Sequence, residues 1–261
     1  MSAPEDQYPA EVDDYLREIV ARLDYTVPGR LMSVYATGSL ALGGFISDQS
    51  DIDVIAVYSD SVELNDKRAV VAALHQDALP CPARGLELVV YSRSTAAAAS
   101  RVPCFEINLN TGPRMPLHVS FECTSEPAHW FVLDIAIVRE HGRALIGLPA
   151  DAVFAPIPRE WLLDALHDSL EWHAEHESIT HYSVLNACRA LRFALENVWS
   201  TKERAAEWAR AQVRDAALVE ACLAIRRGES TELPDGERVR AFVMAIRELL
   251  SAQRVGAKSA G

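Results

Sequence analysis

The stretch Thr37-Gly38-Ser39-Leu40-Ala41-Leu42-Gly43-Gly44-Phe45-Ile46-Ser47-Asp48-Gln49-Ser50-Asp51-Ile52-Asp53 decides how this chain is read. It contains several glycines, but a P-loop needs Lys directly after the second glycine of G-x-x-x-x-G, and Gly43 is followed by Gly44 and Phe45. No G-x-G-x-x-G follows a strand, so the dinucleotide fold loses its main support. What remains is Gly38-Ser39, eleven intervening residues, and Asp51-x-Asp53 at the head of the apolar run Ile52 to Tyr58.

Successive side chains of a strand point to opposite faces, so Asp51 and Asp53 project together while Ile52 and Val54 enter a core. Two adjacent carboxylates repel unless a divalent cation or a shared proton compensates them. Hard oxygen ligands of this kind suit Mg²⁺ bridging phosphate oxygens. Glu87 stands inside the apolar run Leu86-Glu87-Leu88-Val89-Val90, where a charge needs a partner. A strand carrying Glu87 beside the one carrying Asp51 and Asp53 would gather three carboxylates, enough to hold metal and to take a proton from an attacking hydroxyl. The alternative for Glu87 is a structural ion pair with Arg84 or Arg93.

Working outward, Val12, Tyr15, Leu16, Ile19, Val20 and Leu23 mark an amphipathic helix that stops before Pro28-Gly29. Leu31 to Ala36 and Asp51 to Tyr58 read as strands, Glu63 to Leu79 as a helix ended by Pro80, and Gly85 to Tyr91 as a third strand. Phe105-Ile107-Leu109 and Leu117-Val119-Phe121 alternate with polar residues, predicting two half-buried strands around Thr111-Gly112-Pro113. From about Phe131 helical periodicity takes over, through Phe131–Leu145, Arg159–Glu177, Tyr182–Val198, Arg204–Ile225 and Asp235–Ser251. Gly147, Pro149, Pro156 and Pro158 mark a boundary. The expected fold is α+β: residues 1–150 form a mixed sheet flanked by helices, and residues 151–261 an all-α bundle.

A chain of 261 residues with 49% hydrophobic and 24% charged residues has the composition of a globular protein with a full core. Its 25 Lys and Arg against 37 Asp and Glu leave a net charge of −12, which disfavours long nucleic acid and suits a cationic small molecule. Five scattered cysteines without a C-x-x-C pair argue against zinc or redox work and for a reducing cytoplasm. No apolar run approaches the roughly 18 residues of a membrane span, and the acidic amino terminus has no secretory character. His173, His176 and His181 lack the cysteine partners of a zinc site. The expected assembly is a monomer or weak oligomer.

Gly38-Ser39, Asp51-x-Asp53 and Glu87 together resemble the nucleotidyltransferase superfamily of the polymerase-β type. Within it, the chain is similar to bacterial aminoglycoside adenylyltransferases that modify streptomycin and spectinomycin. The further matches are Asp134, Pro156-Ile157-Pro158, Trp172, Arg189 and Thr201-Lys202-Glu203-Arg204-Ala205-Ala206-Glu207-Trp208-Ala209. The resemblance implies a Mg²⁺-dependent transfer of AMP from ATP to an antibiotic hydroxyl, with ATP and antibiotic bound between the two domains. It makes Asp51, Asp53 and Glu87 the metal ligands and catalytic carboxylates, with Glu87 also the general base. Gly38, Ser39 and Ser50 fall in its phosphate-binding part, and Asp134, Arg189 and Lys202 complete the nucleotide site from the other half. Trp172, Glu175 and Glu177 are the residues for a cationic acceptor, since carboxylates hold ammonium and guanidinium groups. Taken on their residues alone, Trp172 is equally a core tryptophan, Lys202 a helix-start lysine, and Arg189 or Arg192 a surface charge. The alternative function keeps the same chemistry on another small molecule or on a protein side chain.

Overall fold

In the computed structural model the described residues are 9–175 and 180–258, and they form two compact units, Met1–Ile157 and Pro158–Gly261. The first unit is built on a six-stranded sheet. Its elements in chain order are α1 (Ala10–Thr26), β1 (Leu31–Ala36), α2 (Gly38–Leu42), β2 (Ile52–Tyr58), α3 (Leu64–Leu74), β3 (Leu86–Ser92), α4 (Arg93–Ala96), β4 (Ile107–Gly112), β5 (Met115–Ser120), α5 (Ala128–His141), β6 (Arg143–Ile146) and α6 (Ala150–Val153).

The strands lie in the order β5-β4-β3-β2-β1-β6. Only β2 and β3 run parallel, as their connection through α3 requires, and every other neighbouring pair is antiparallel. Strand alternation divides the apolar side chains between two cores. Val34, Val54, Ala56, Leu88, Val90 and Leu109 face α1 and α3 through Leu16, Ile19, Val70 and Leu74. On the other face Tyr35, Ile55, Val57, Val89 and Tyr91 meet Phe131, Ile135 and Val138 of α5 together with Phe154. Asp53 and Glu87 sit at odd positions on β2 and β3, so they belong to this second face, at the strands' starting ends.

Two sequence readings are corrected here. The helical run expected over Phe131–Leu145 ends at His141, and Arg143–Ile146 is a sixth strand paired with β1. Leu117 is 56% exposed rather than half-buried, and Val119 is 36% exposed, on β5 at the edge of the sheet. The two compact units divide at 157/158, inside the Gly147–Pro158 stretch read as the boundary, and Ala150, Phe154 and Ile157 pack into the second sheet face. Phe154 is 2% exposed and meets Tyr35 and Tyr91 edge-on at 5.7 and 6.4 Å between ring centroids. Phe154→Ala is therefore expected to destabilise this unit by about 3–5 kcal/mol, read as a lowered denaturant midpoint with unchanged slope.

The cysteine reading also changes. Cys104, just before β4, and Cys123, in the turn after β5, form a disulfide with their Cα atoms 5.0 Å apart, whereas Cys81, Cys188 and Cys222 are free and buried. Among the described residues no helix is long and apolar enough to cross a membrane.

The second unit contains α7 (Arg159–Glu175), α8 (His181–Glu196), α9 (Lys202–Ala209), α10 (Ala216–Arg226) and α11 (Gly236–Lys258). The single helix expected over Arg204–Ile225 is two, because Asp215 caps a new start by accepting from the Leu218 N–H at 3.1 Å. Thr180 caps α8 in a reciprocal arrangement with Ser183. α8 packs against all four other helices, through Val184, Leu185, Cys188 and Leu191. Burial pushes the thiols of Cys188 and Cys222 up to about 12.

Candidate active site

The parallel register of β2 and β3 pairs Asp53 directly with Glu87. Strands neighbour one another at about 4.8 Å, so these two carboxylates stand side by side on one sheet face. Asp51 precedes β2 by one residue and shares the parity of Asp53, which brings the third carboxylate to the same strand ends. All three are partly buried. On the next strand, β4, Asn110 lies opposite Glu87, and His118 of β5 lies opposite Asn110. A polar row thus crosses four strands on the carboxylate face. Asn110 and His118 were not singled out from the sequence, because their relation to Glu87 exists only through strand register.

The connection from β1 to β2 is shaped around Asp53. The Thr37 N–H donates to the Asp53 carbonyl at 3.0 Å, and the Ser39 N–H donates to Asp53 Oδ2 at 3.3 Å. Gly38 adopts φ +56, and a Cβ there would lie 1.9 Å from Asp53 Oδ2. Both the backbone region and the space demand glycine. The side-chain hydroxyls of Thr37 and Ser39 are buried and make no hydrogen bond among the described residues. Ser50 is buried, and its hydroxyl accepts the Ile46 N–H at 3.0 Å, closing the loop before Asp51.

Of the two arginines named in the alternative reading of Glu87 as an ion-pair residue, Arg84 pairs with Asp51. Arg84 Nη1 lies 2.9 Å from Asp51 Oδ2. Backbone pairing dictates this, since the Ile52 N–H donates to the Gly85 carbonyl at 2.8 Å and the Arg84 N–H to the Ser50 carbonyl at 3.2 Å, setting Arg84 level with Asp51.

Asp134 lies on α5 of the sheet unit, not in the helical half to which the sequence reading assigned it. α5 packs against α2 and carries Asp134 towards Tyr91. Burial, and secondarily the Asp134 charge, push the Tyr91 hydroxyl far above its ordinary range.

In the helical unit, Arg189 Nε donates to the Ser200 carbonyl at 3.0 Å, while Arg192 pairs with Glu196 at 3.2 Å, and both arginines are partly buried. Lys202 opens α9 beside the cap Thr201, and its ammonium lies 4.9 Å from the Tyr182 ring centroid. His181 is held below its ordinary value, first by burial and then by Lys202 and Arg226. Trp172 is partly buried and meets His173 edge-on at 5.4 Å. Glu175 is exposed at the end of α7, Glu171 is bound by Arg247, and Glu177 lies outside the described residues.

A mixed sheet that sets an Asp-x-Asp pair in register with a third carboxylate, behind a Gly-Ser turn, is the arrangement that the resemblance to nucleotidyltransferases led us to expect. Residues 152–249 match the family described as aminoglycoside adenylyltransferase, C-terminal domain. Similar curated proteins are the aminoglycoside (3'') (9) adenylyltransferases of Shigella flexneri and Klebsiella pneumoniae. They are 26% and 25% identical over 215 residues, which span 77% of this chain and 79% of each relative. The fold is shared with the crystal structure of spectinomycin adenyltransferase AAD(9) from Enterococcus faecialis with ATP and spectinomycin. That similarity has a TM-score of 0.69 at 14% identity, covering 92% of this chain and 99% of that one. The helical half of the chain thus matches an aminoglycoside adenylyltransferase domain family, and the chain is similar along most of its length to curated aminoglycoside adenylyltransferases.

Proposed function

We propose that the protein transfers AMP from ATP to a hydroxyl of an aminocyclitol or aminoglycoside antibiotic, spectinomycin or streptomycin, and thereby confers resistance. The observation that carries this reading is the in-register pair Asp53 and Glu87 with Asp51 alongside. Their oxygens are the donor type that Mg²⁺ takes, and the buried hydroxyls of Thr37 and Ser39 beside them supply hydrogen-bond donors of the kind phosphate oxygens accept. Asp51, Asp53 and Glu87 are the residues that would hold the ion. When bound, Mg²⁺ neutralises charge on the α-phosphoryl group and the leaving pyrophosphate.

The protein's own part is to orient and to move a proton. Glu87 accepts the proton of the acceptor hydroxyl as the new P–O bond forms, because an alcohol is a poor nucleophile at neutral pH. Arg189 and Lys202 offer fixed positive charge to the departing pyrophosphate, and Asp134 contributes to the nucleotide site. Trp172 and the exposed Glu175 are assigned to the cationic acceptor. The names of the curated relatives, which join aminoglycoside and adenylyl transfer, support this choice of acceptor.

Pyrophosphate release from Mg²⁺-ATP, measured with spectinomycin, with streptomycin and with neither, tests the reading. Drug-dependent release that disappears in Asp53→Ala is expected. Nucleotide binding without stimulation by either drug would move the acceptor to another small molecule or a protein side chain. Absence of nucleotide binding would remove the enzymatic reading.

A further inference from the structure

We propose that Arg84 is a positioning residue that acts as a resident counter-cation for Asp51 and competes with the divalent ion for it. The inference rests on the proposed role of Asp51 as a metal ligand. Arg84 Nη1 donates to Asp51 Oδ2 at 2.9 Å. A divalent ion held by the same carboxylate would stand within a few ångströms of the guanidinium, so the two cations repel and compete for its negative charge. The contact is built by the backbone. Arg84 is clamped on both sides, its N–H donating to the Ser50 carbonyl at 3.2 Å and its carbonyl accepting the Arg114 N–H at 3.1 Å. A Cβ at Gly112 would lie 2.8 Å from the same Arg84 carbonyl, so β4 presses closely on this point. The guanidinium is free to leave even so, because the Arg84 side chain is 43% exposed while that of Asp51 is 17% exposed.

A cation at this position eases the mutual repulsion of Asp51 and Asp53 before any divalent ion arrives, and it must release Asp51 when one does. Charge at Arg84 therefore weakens metal binding to the nucleotide-free protein. Arg84→Lys keeps a cation on the same backbone, although an ammonium lacks the guanidinium's planar fork.

Mn²⁺ binding to the full-length protein without nucleotide, followed by electron paramagnetic resonance or water-proton relaxation, tests this. Arg84→Gln is expected to bind Mn²⁺ about threefold to fivefold more tightly than wild type, the range of a partly screened ion pair. The gain should shrink as salt is raised, and Arg84→Lys should stay near wild type. If Asp51→Asn weakens Mn²⁺ binding but Arg84→Gln binds equally or more weakly than wild type, the inference fails and the metal role of Asp51 stands. If Asp51→Asn leaves Mn²⁺ binding unchanged, or no form binds Mn²⁺, the metal reading and the inference fail together. Near-ultraviolet circular dichroism of each variant distinguishes a lost fold from a changed site.

Discussion

Glu87→Gln is expected to lower turnover by about 10²–10⁴-fold while leaving ATP binding largely intact. That range is the usual worth of a positioned general base. The substitution keeps the side-chain length and one oxygen donor, so the register with Asp53 and a ligand atom for the metal survive. What disappears is a basic oxygen able to take the hydroxyl proton. The loss should appear in kcat and in kcat/KM alike, because the missing interaction is made as the bond forms. Titration with ATP in the presence of Mg²⁺ separates this from a binding defect. Unreduced turnover in Glu87→Gln would assign proton transfer to another group.

The second large effect is expected at a residue without a side chain. In Gly38→Ala the new methyl carbon would lie 1.9 Å from Asp53 Oδ2 and 2.5 Å from its Cγ, so the carboxylate or the turn must move. The backbone adds strain of about 1–2 kcal/mol, since φ there is +56. A shift of about an ångström in a reacting constellation can cost about 10²-fold in rate. We expect a loss of that size or more in kcat, with weakened Mn²⁺ binding and near-native circular dichroism. An active Gly38→Ala enzyme would show that Asp53 tolerates displacement, which the proposed metal role does not allow.

The central strands and the carboxylate face were legible because strong alternation and a Gly-Ser turn coincide there. Asp51 and Asp53 share a face by parity alone, and Glu87 joins them as soon as its strand is placed next to theirs. Other features depend on distant pairings that no local pattern encodes. Arg143–Ile146 is only four residues long and follows α5 after a single glycine, so helical periodicity ran over it. Cys104 and Cys123 meet because β4 and β5 fold back on each other, a hairpin consequence invisible in an odd count of cysteines. Arg84 was one of two alternative partners for Glu87 by nearness in sequence, and the strand offset places it level with Asp51. Lys202 does open a helix, as its alternative reading had it, but its place beside the Tyr182 ring of α8 depends on a pairing that no local pattern encodes. Asp134 was placed in the other half by the resemblance alone, although it precedes the Gly147–Pro158 boundary and lies on α5. α5 is apolar on the side that covers the sheet.

The one parallel pairing in the sheet also sets when this chemistry can come into being. A hairpin forms between neighbours in the chain, but β2 and β3 meet only after the whole α3 crossover has been threaded between them. Loop-closure entropy opposes such a contact until the surrounding apolar faces reward it, which makes it a slow and late event. During synthesis a nascent chain that has released Asp51 and Asp53 but not yet β3 holds two carboxylates and no third. On the proposed metal role, capacity to bind a divalent ion would be a readout of completed folding, and Mn²⁺ uptake during refolding should lag behind the recovery of helix signal.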